Sequence, residues 1–174
     1  MRVLDVCSYA GAWAVTALRH GALHAVCVDS SAAALAAAED NARINDVDVE
    51  TRRGDAFEVM EELRSSNVRF DVVVLDPPSF IKRRKDLPRG QAAYRKLNQL
   101  AMRLLERDGM LVSCSCSFHL GAEDLAGLIQ AAGRHENRYV QILAAGGQAF
   151  DHPVQPAIPE SRYLKAFFCR VTHG

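Results

Sequence analysis

Val3-Leu4-Asp5-Val6-Cys7-Ser8-Tyr9-Ala10-Gly11-Ala12 reads as a short apolar strand that runs into a polar turn carrying one glycine. A second unit of the same kind follows, Ala25-Val26-Cys27-Val28-Asp29, closed by Ser30-Ser31 and then by an alanine-rich amphipathic run. Strand, turn and helix in strict alternation are the repeating element of an α/β sheet. Strand candidates lie at 3–7, 25–29, 47–52, 70–75, 110–114, 138–143 and 164–171, and helix candidates at 30–45, 56–66, 91–107 and 122–133. The second, fourth and fifth strands are nearly continuous apolar runs, as strands covered on both faces require. The third alternates, with Val47, Val49 and Thr51 set against Asp48 and Glu50, which suits an edge. Right-handed crossovers then give a parallel, doubly wound sheet. The last two strands are joined by about twenty residues without a helix signal, so they are expected to form an antiparallel hairpin at one edge.

The chain has 174 residues, 49% of them hydrophobic, which is the size of one domain with a substantial core. Lysine plus arginine equals aspartate plus glutamate at 21 each, so only local charge can speak about partners. No apolar run has the length of a membrane span, and no charged-then-apolar leader opens the sequence. Cys7, Cys27, Cys114, Cys116 and Cys169 are odd in number and fall in or beside strands. They suit reduced thiols in a cytoplasmic protein better than a disulfide framework. Neither cysteines nor histidines show the spacing of a metal site. Strand-like sequence begins at the second residue with no lead-in helix or arm, so the expectation is a piece from the C-terminal part of a longer protein.

In an open α/β sheet, ligands bind beyond the carboxyl ends of the strands. Gly11 at the first turn lets the backbone approach a ligand and face it with helix-start N–H groups. The three spaced glycines of a dinucleotide fingerprint are missing. Asp29, at the end of the second strand, can accept hydrogen bonds from a ribose diol or cap a helix. Asp55, between Gly54 and Ala56, can accept from an exocyclic amine of adenine or cap the next helix. Together these turns describe an adenosine-containing cofactor without a pyrophosphate cradle, S-adenosyl-L-methionine rather than NAD. The candidate cofactor residues are Asp5, Ser8, Tyr9, Gly11, Asp29, Asp55, Ala56 and Asp76.

The fourth strand runs into Asp76-Pro77-Pro78-Ser79-Phe80, where two prolines stiffen the turn. A flat base can stack on Phe80 while Asp76 meets its polar edge. The fifth strand ends Ser113-Cys114-Ser115-Cys116-Ser117, and Cys116, nearer the carboxyl end, is the candidate covalent nucleophile. Cytosine C5 is too weak a nucleophile to take a methyl group unaided, and thiolate addition at C6 makes it enamine-like. Cys114 and Cys116 are also small side chains that a core can bury. Lys82, Arg83, Arg84, Lys85, Arg89, Arg95 and Lys96 put seven basic residues against one acidic, Asp86, in a stretch of fifteen. That loop is a candidate phosphate-backbone contact, or else a solvated surface. Pro77, Pro78, Phe80, Lys82, Arg83 and Arg84 form the candidate substrate set.

The motifs Val3-Leu4-Asp5-Val6-Cys7-Ser8-Tyr9-Ala10-Gly11, Leu75-Asp76-Pro77-Pro78-Ser79-Phe80, Ser115-Cys116-Ser117 and Asp151-His152-Pro153 with Tyr163-Leu164-Lys165 closely resemble bacterial 23S ribosomal RNA cytosine-5 methyltransferases of the RlmI type. The resemblance covers nearly the whole chain. It implies a Rossmann-like class I methyltransferase fold, a seven-stranded, mostly parallel sheet in the order 3-2-1-4-5-7-6. It also implies S-adenosyl-L-methionine as donor, leaving S-adenosyl-L-homocysteine (SAH), with 23S ribosomal RNA as the substrate partner. Cys116 is then the nucleophile, with Asp29 on the ribose, Asp55 on the adenine and Asp76 on the target base. Family members carry an N-terminal PUA domain, a second small domain and a lead-in motif that this sequence does not contain. Ala12-Trp13 stands where glycine then phenylalanine is usual. Related enzymes with the same Asp-Pro-Pro-x-Phe loop methylate guanine N7, so the cysteine does most of the choosing. Alternatives are a methyltransferase acting on a ring or exocyclic nitrogen, with Cys116 structural, and a non-catalytic binding or dimerisation module. A second copy of the chain is a further candidate partner.

Overall fold

The computed structural model describes residues 1–173. Its strands are β1 (Arg2–Val6), β2 (His24–Asp29), β3 (Glu50–Arg53), β4 (Phe70–Leu75), β5 (Leu105–Ser115), β6 (Arg138–Gly146) and β7 (Lys165–His173). Its helices are α1 (Ala12–Arg19), α2 (Ala32–Ile44), α3 (Ala56–Ser65), α4 (Leu87–Leu104) and α5 (Ala122–His135). The strands make one sheet in the order β3-β2-β1-β4-β5-β7-β6. Every pairing is parallel except those of β7, which runs antiparallel to both β5 and β6. The fold is that of the class I methyltransferases, with the order the resemblance implies. β3 takes one edge, and the hairpin closes the other with its second strand inserted between β5 and β6.

Alternate residues of the central strands enter different cores. Leu4, Val6, Val26, Val28, Val73 and Leu75 pack with α3, α4 and α5 through Met60, Leu63, Leu97, Leu125 and Ile129. Val3, Ala25 and Cys27 pack on the other face against Ala14, Leu35 and Ala38 of α1 and α2. Burying one Leu or Val stabilises by about 1.5–3 kcal/mol. A strand apolar on both sides is therefore held by two layers at once, and its carboxyl end is a fixed platform.

The element bounds differ from the sequence expectation where local chemistry intervenes. α4 begins at Leu87, ahead of 91, because Pro88 sits in the first turn, where its missing N–H has no intrahelical partner to lose. β5 begins at Leu105, not at 110. Phe70 pairs with Leu105 and Val72 with Met110, so 106–109 bulge from the ladder, with Asp108 at a φ of 61°. β3 starts late because Val47 still donates its N–H to Ala42 of the preceding helix end, at 3.0 Å. The eight-residue helix α1 has no counterpart among the sequence candidates. No helix among the described residues is long and apolar enough to cross a membrane.

Candidate active site

A cleft of about 630 Å³ opens over the carboxyl ends of β1, β2, β4 and β5. Its first wall is the turn after β1. Cys7, Tyr9 and Gly11 adopt φ values of 61°, 46° and 73°, so the backbone reverses within a few residues. Ser8 and Tyr9 line the cleft, whereas Asp5 and Gly11 do not. A Cβ on Gly11 would lie 2.9 Å from Ala38 Cβ, so glycine here serves both the left-handed turn and the approach of α1 to α2. Asp5 is fully buried, and its Oδ2 accepts from the Ala14 N–H at 3.1 Å in the first turn of α1. Its other oxygen has no partner among the described residues. Burial, reinforced by the charges of Asp76 and Asp29, pushes the Asp5 carboxyl up to about 7.

Asp29 joins two turns. Its Oδ2 accepts from the Tyr9 N–H and its Oδ1 from the Ser31 N–H, both at 2.9 Å. Ser31, not Asp29, supplies the side-chain cap of α2, with Oγ accepting from Ala34 N–H at 3.2 Å. Asp55 caps α3 through Oδ1, which accepts from Phe57 and Glu58 at 2.9 and 3.3 Å, and it lines the cleft as well. A carboxylate oxygen takes two hydrogen bonds. Asp29 therefore keeps a lone pair on each oxygen for a diol, and Asp55 keeps all of Oδ2 for an amine. Val28, Ala56 and Phe57 add an apolar wall fit for a purine ring. This donor and acceptor set fits an adenosine-bearing group.

The opposite wall holds the candidate reactive groups. Asp76, Pro77, Pro78, Phe80 and Cys116 all line the cleft. Asp76 Oδ2 accepts from the indole N–H of Trp13 at 3.2 Å, and the Phe80 ring leans on Tyr94 with centroids 4.8 Å apart. Cys116 is half-buried, with Sγ 3.8 Å from the Pro77 carbonyl. Burial raises its thiol above the ordinary value and Asp76 adds to this, while Lys165 pulls it down. Cys114 sits in a different environment. It is buried with Val74 and Val112 beneath Trp13 and Phe168, because β5 ends at Ser115, between the two cysteines.

A chain of hydroxyls fixes this wall. Ser115 Oγ donates to Tyr94 Oη at 3.0 Å, and Tyr94 Oη and Ser117 Oγ are 2.9 Å apart. Ser117 Oγ lies 2.9 Å from Ser79 Oγ, which donates to the Ile81 carbonyl at 3.3 Å. One direction lets each hydroxyl donate once along this path, ending on the carbonyl. The web ties the Asp76 loop, α4 and the end of β5 into one unit. Lys82, Arg83 and Arg84 lie beyond it, exposed and outside the cleft lining, with Arg83 3.3 Å from Asp86.

The family described as Conserved hypothetical protein 95 matches residues 1–117. The chain belongs to this family. The match takes in every candidate residue from Asp5 to Cys116. Over 98% of its length the chain is also 38% identical to Ribosomal RNA large subunit methyltransferase I of Serratia proteamaculans, and 37% identical to the protein of that name from Erwinia tasmaniensis. It spans 44% of the length of each of these relatives. Among solved structures, a protein described as a methyltransferase and complexed with SAH superposes with a TM-score of 0.84 at 22% identity. That superposition covers 97% of this chain and 44% of the other, and at this identity the likeness speaks for the fold alone.

Among the members of this site, sequence reasoning gives no role to Phe57, Ser79, Tyr94, Ser117 and Lys165, although Ser79, Ser117 and Lys165 fall within the motifs that carry the resemblance and Trp13 stands out as a departure from the family pattern. Tyr94 leaves a trace, since it occupies the buried stripe of α4 with Leu97 and Ala101 while carrying a hydroxyl that a core position must satisfy. Lys165 leaves only its place in the Tyr163-Leu164-Lys165 motif, because the contacts it makes depend on how β7 enters the sheet.

Proposed function

We propose that this chain binds S-adenosylmethionine and transfers its methyl group to C5 of a cytosine in large-subunit ribosomal RNA, with Cys116 as covalent nucleophile. The observation that carries the reading is the meeting of Cys116 and Asp76 on one wall of a cleft whose other wall suits adenosine. The relatives' shared name supports ribosomal RNA as the substrate, and the five free cysteines suit a reducing, cytoplasmic setting.

S-adenosylmethionine supplies an electrophilic methyl group on a sulfonium; Asp29 would hold its ribose and Asp55 its adenine amine. Asp76 accepts from the exocyclic amine of the target cytosine, and Phe80 offers a ring face on which the extruded base stacks. The Cys116 thiolate adds to C6, forming an S–C6 bond and moving the C5–C6 π pair toward C5. A methyl group supplied to C5 would leave its C–S bonding pair on the sulfur of SAH, and the C5 proton would then pass to solvent in the open cleft. The electron pair of that C–H bond restores the double bond and expels Cys116 as thiolate. Exposed Lys82, Arg83 and Arg84 supply phosphate contacts beside the cleft.

Large-subunit ribosomal RNA containing 5-fluorocytosine tests the mechanism, because fluorine at C5 cannot leave as a proton does. With S-adenosylmethionine present, the wild-type chain is expected to form a denaturant-stable RNA adduct, and Cys116→Ala none. Methyl transfer into a base nitrogen, with no adduct, would overturn the cysteine mechanism.

A further inference from the structure

If Cys116 is the nucleophile, as proposed above, its surroundings pose a problem. The thiolate is the reactive form. Yet burial and the Asp76 carboxylate both favour the neutral thiol, and the Pro77 carbonyl faces Sγ with no proton to give. The backbone at Cys116 and Ser79 contributes N–H dipoles, and the Tyr94 hydroxyl is committed to Ser115 and Ser117. Among the groups acting on this thiol, one carries a positive charge, and it is Lys165.

Lys165 comes from the far end of the sequence. It opens β7, the antiparallel strand, and stands directly opposite Ser115 in the β5–β7 ladder. From there its half-buried Nζ donates to the Ser117 carbonyl at 2.6 Å and to the Tyr163 carbonyl at 2.9 Å. An ammonium has three donors. Two hold the side chain against the carbonyls of Tyr163 and of Ser117, the residue after Cys116, and the third has no protein partner among the described residues. Two fixed points immobilise a stem that would otherwise be flexible, so the charge stays at the carbonyl next to Cys116, where it acts on the thiol, rather than in solvent.

We propose that Lys165 is a positioning residue for Cys116: its ammonium, clamped on the Ser117 and Tyr163 carbonyls, stabilises the thiolate that attacks the base. The thiol proton leaves through the cleft to solvent, and the standing charge of Lys165 offsets the sulfur anion that remains. The same charge favours Cys116 as leaving group when the adduct breaks down. Burial lowers the lysine from its ordinary range while the nearby sulfur opposes this, as the two halves of one coupled pair would.

The test reads the thiol itself, without RNA or cofactor. Alkylation of each cysteine by iodoacetamide is followed by mass spectrometry across a pH series in the full chain. Cys7, which also lines the cleft and is pushed up to about 12, serves as an internal reference. Lys165→Met is expected to raise the Cys116 midpoint and slow its alkylation near neutrality by about three- to tenfold, with Cys7 unchanged. Lys165→Arg keeps the charge and should stay near wild type. Lys165→Gln, which still carries an amide donor for Ser117, should slow the reaction as methionine does and covers the case in which methionine does not fold. An unchanged Cys116 rate in the neutral variants, or equal changes at Cys116 and Cys7, would overturn the assignment. Absence of the 5-fluorocytosine adduct, by contrast, would remove the nucleophile and leave the lysine–cysteine coupling standing.

Discussion

The two walls of the cleft are built in different ways. On the β1–β2–β3 side, carboxylates are held by backbone N–H groups of nearby turns: Asp29 by Ser31 and Tyr9, Asp55 by Phe57 and Glu58. On the β4–β5–β7 side, side chains distant in sequence hold one another: Ser79 and Ser117 are 38 residues apart, and Lys165 and Ser117 are 48 apart. The first wall is set by local turn geometry and forms as each strand passes into its helix. The second exists only when four separate segments have converged. The difference gives the walls different tolerances, matching the division proposed above between binding on one side and alignment for chemistry on the other.

That contrast can be broken experimentally. Asp29→Ala carries the largest expected effect. It removes the acceptor proposed for the cofactor ribose and takes the side-chain partner from the Tyr9 and Ser31 N–H groups. Affinity for SAH by calorimetry should fall about ten- to hundredfold, the value of hydrogen bonds to a charged acceptor. A loss at Asp29 no larger than at Tyr94 would erase the distinction between the walls. Tyr94→Phe is the complementary case. It deletes the hub hydroxyl and strands Ser115 and Ser117, costing about 1–3 kcal/mol in urea unfolding. Methyl transfer should decline while SAH affinity stays within about twofold, since the Tyr94 hydroxyl makes none of the hydrogen bonds that hold Asp29 and Asp55.

The smallest effect concerns the buried anchor beneath the first wall. Asp5 is held at about 7 in the folded chain against an ordinary 3.8, so the native state keeps a proton that the unfolded chain has released. Stability is greatest below the lower value and declines as pH rises through the upper one. Asp5→Asn should flatten the fall in urea midpoint between about pH 4 and pH 8. An unaltered slope would assign the pH dependence elsewhere.

The same division governs what could be read from the sequence. Asp29, Asp55 and the Asp76-Pro77-Pro78 turn announce themselves because each lies where an apolar run stops; the alternation of runs gives a parallel, doubly wound sheet, while the order of its strands comes from the family resemblance. The capping roles of Ser31 and Asp55 are equally local. α1 is missed because eight residues give too little periodicity, and the bulge at 106–109 because it sits within what looks like the end of a helix. Cys114 and Cys116 are two apart and formally share a strand face, but the strand ends between them and sends one into the core and one into the cleft. The partners of Tyr94 and Lys165 are illegible for a plainer reason: nothing within their own segments requires the groups they meet.

Trp13 is the chain's single tryptophan, and it lines the cleft with its N–H on Asp76 and its ring 6.2 Å from that of Phe168. Light absorbed beyond the tyrosine band is therefore re-emitted from one place only, the wall that holds Asp76 and Cys116. Any molecule that enters the cleft or turns the Asp76 carboxylate changes the surroundings of that indole. The protein thus holds a native optical reporter of its own occupancy, one that needs no label and no turnover.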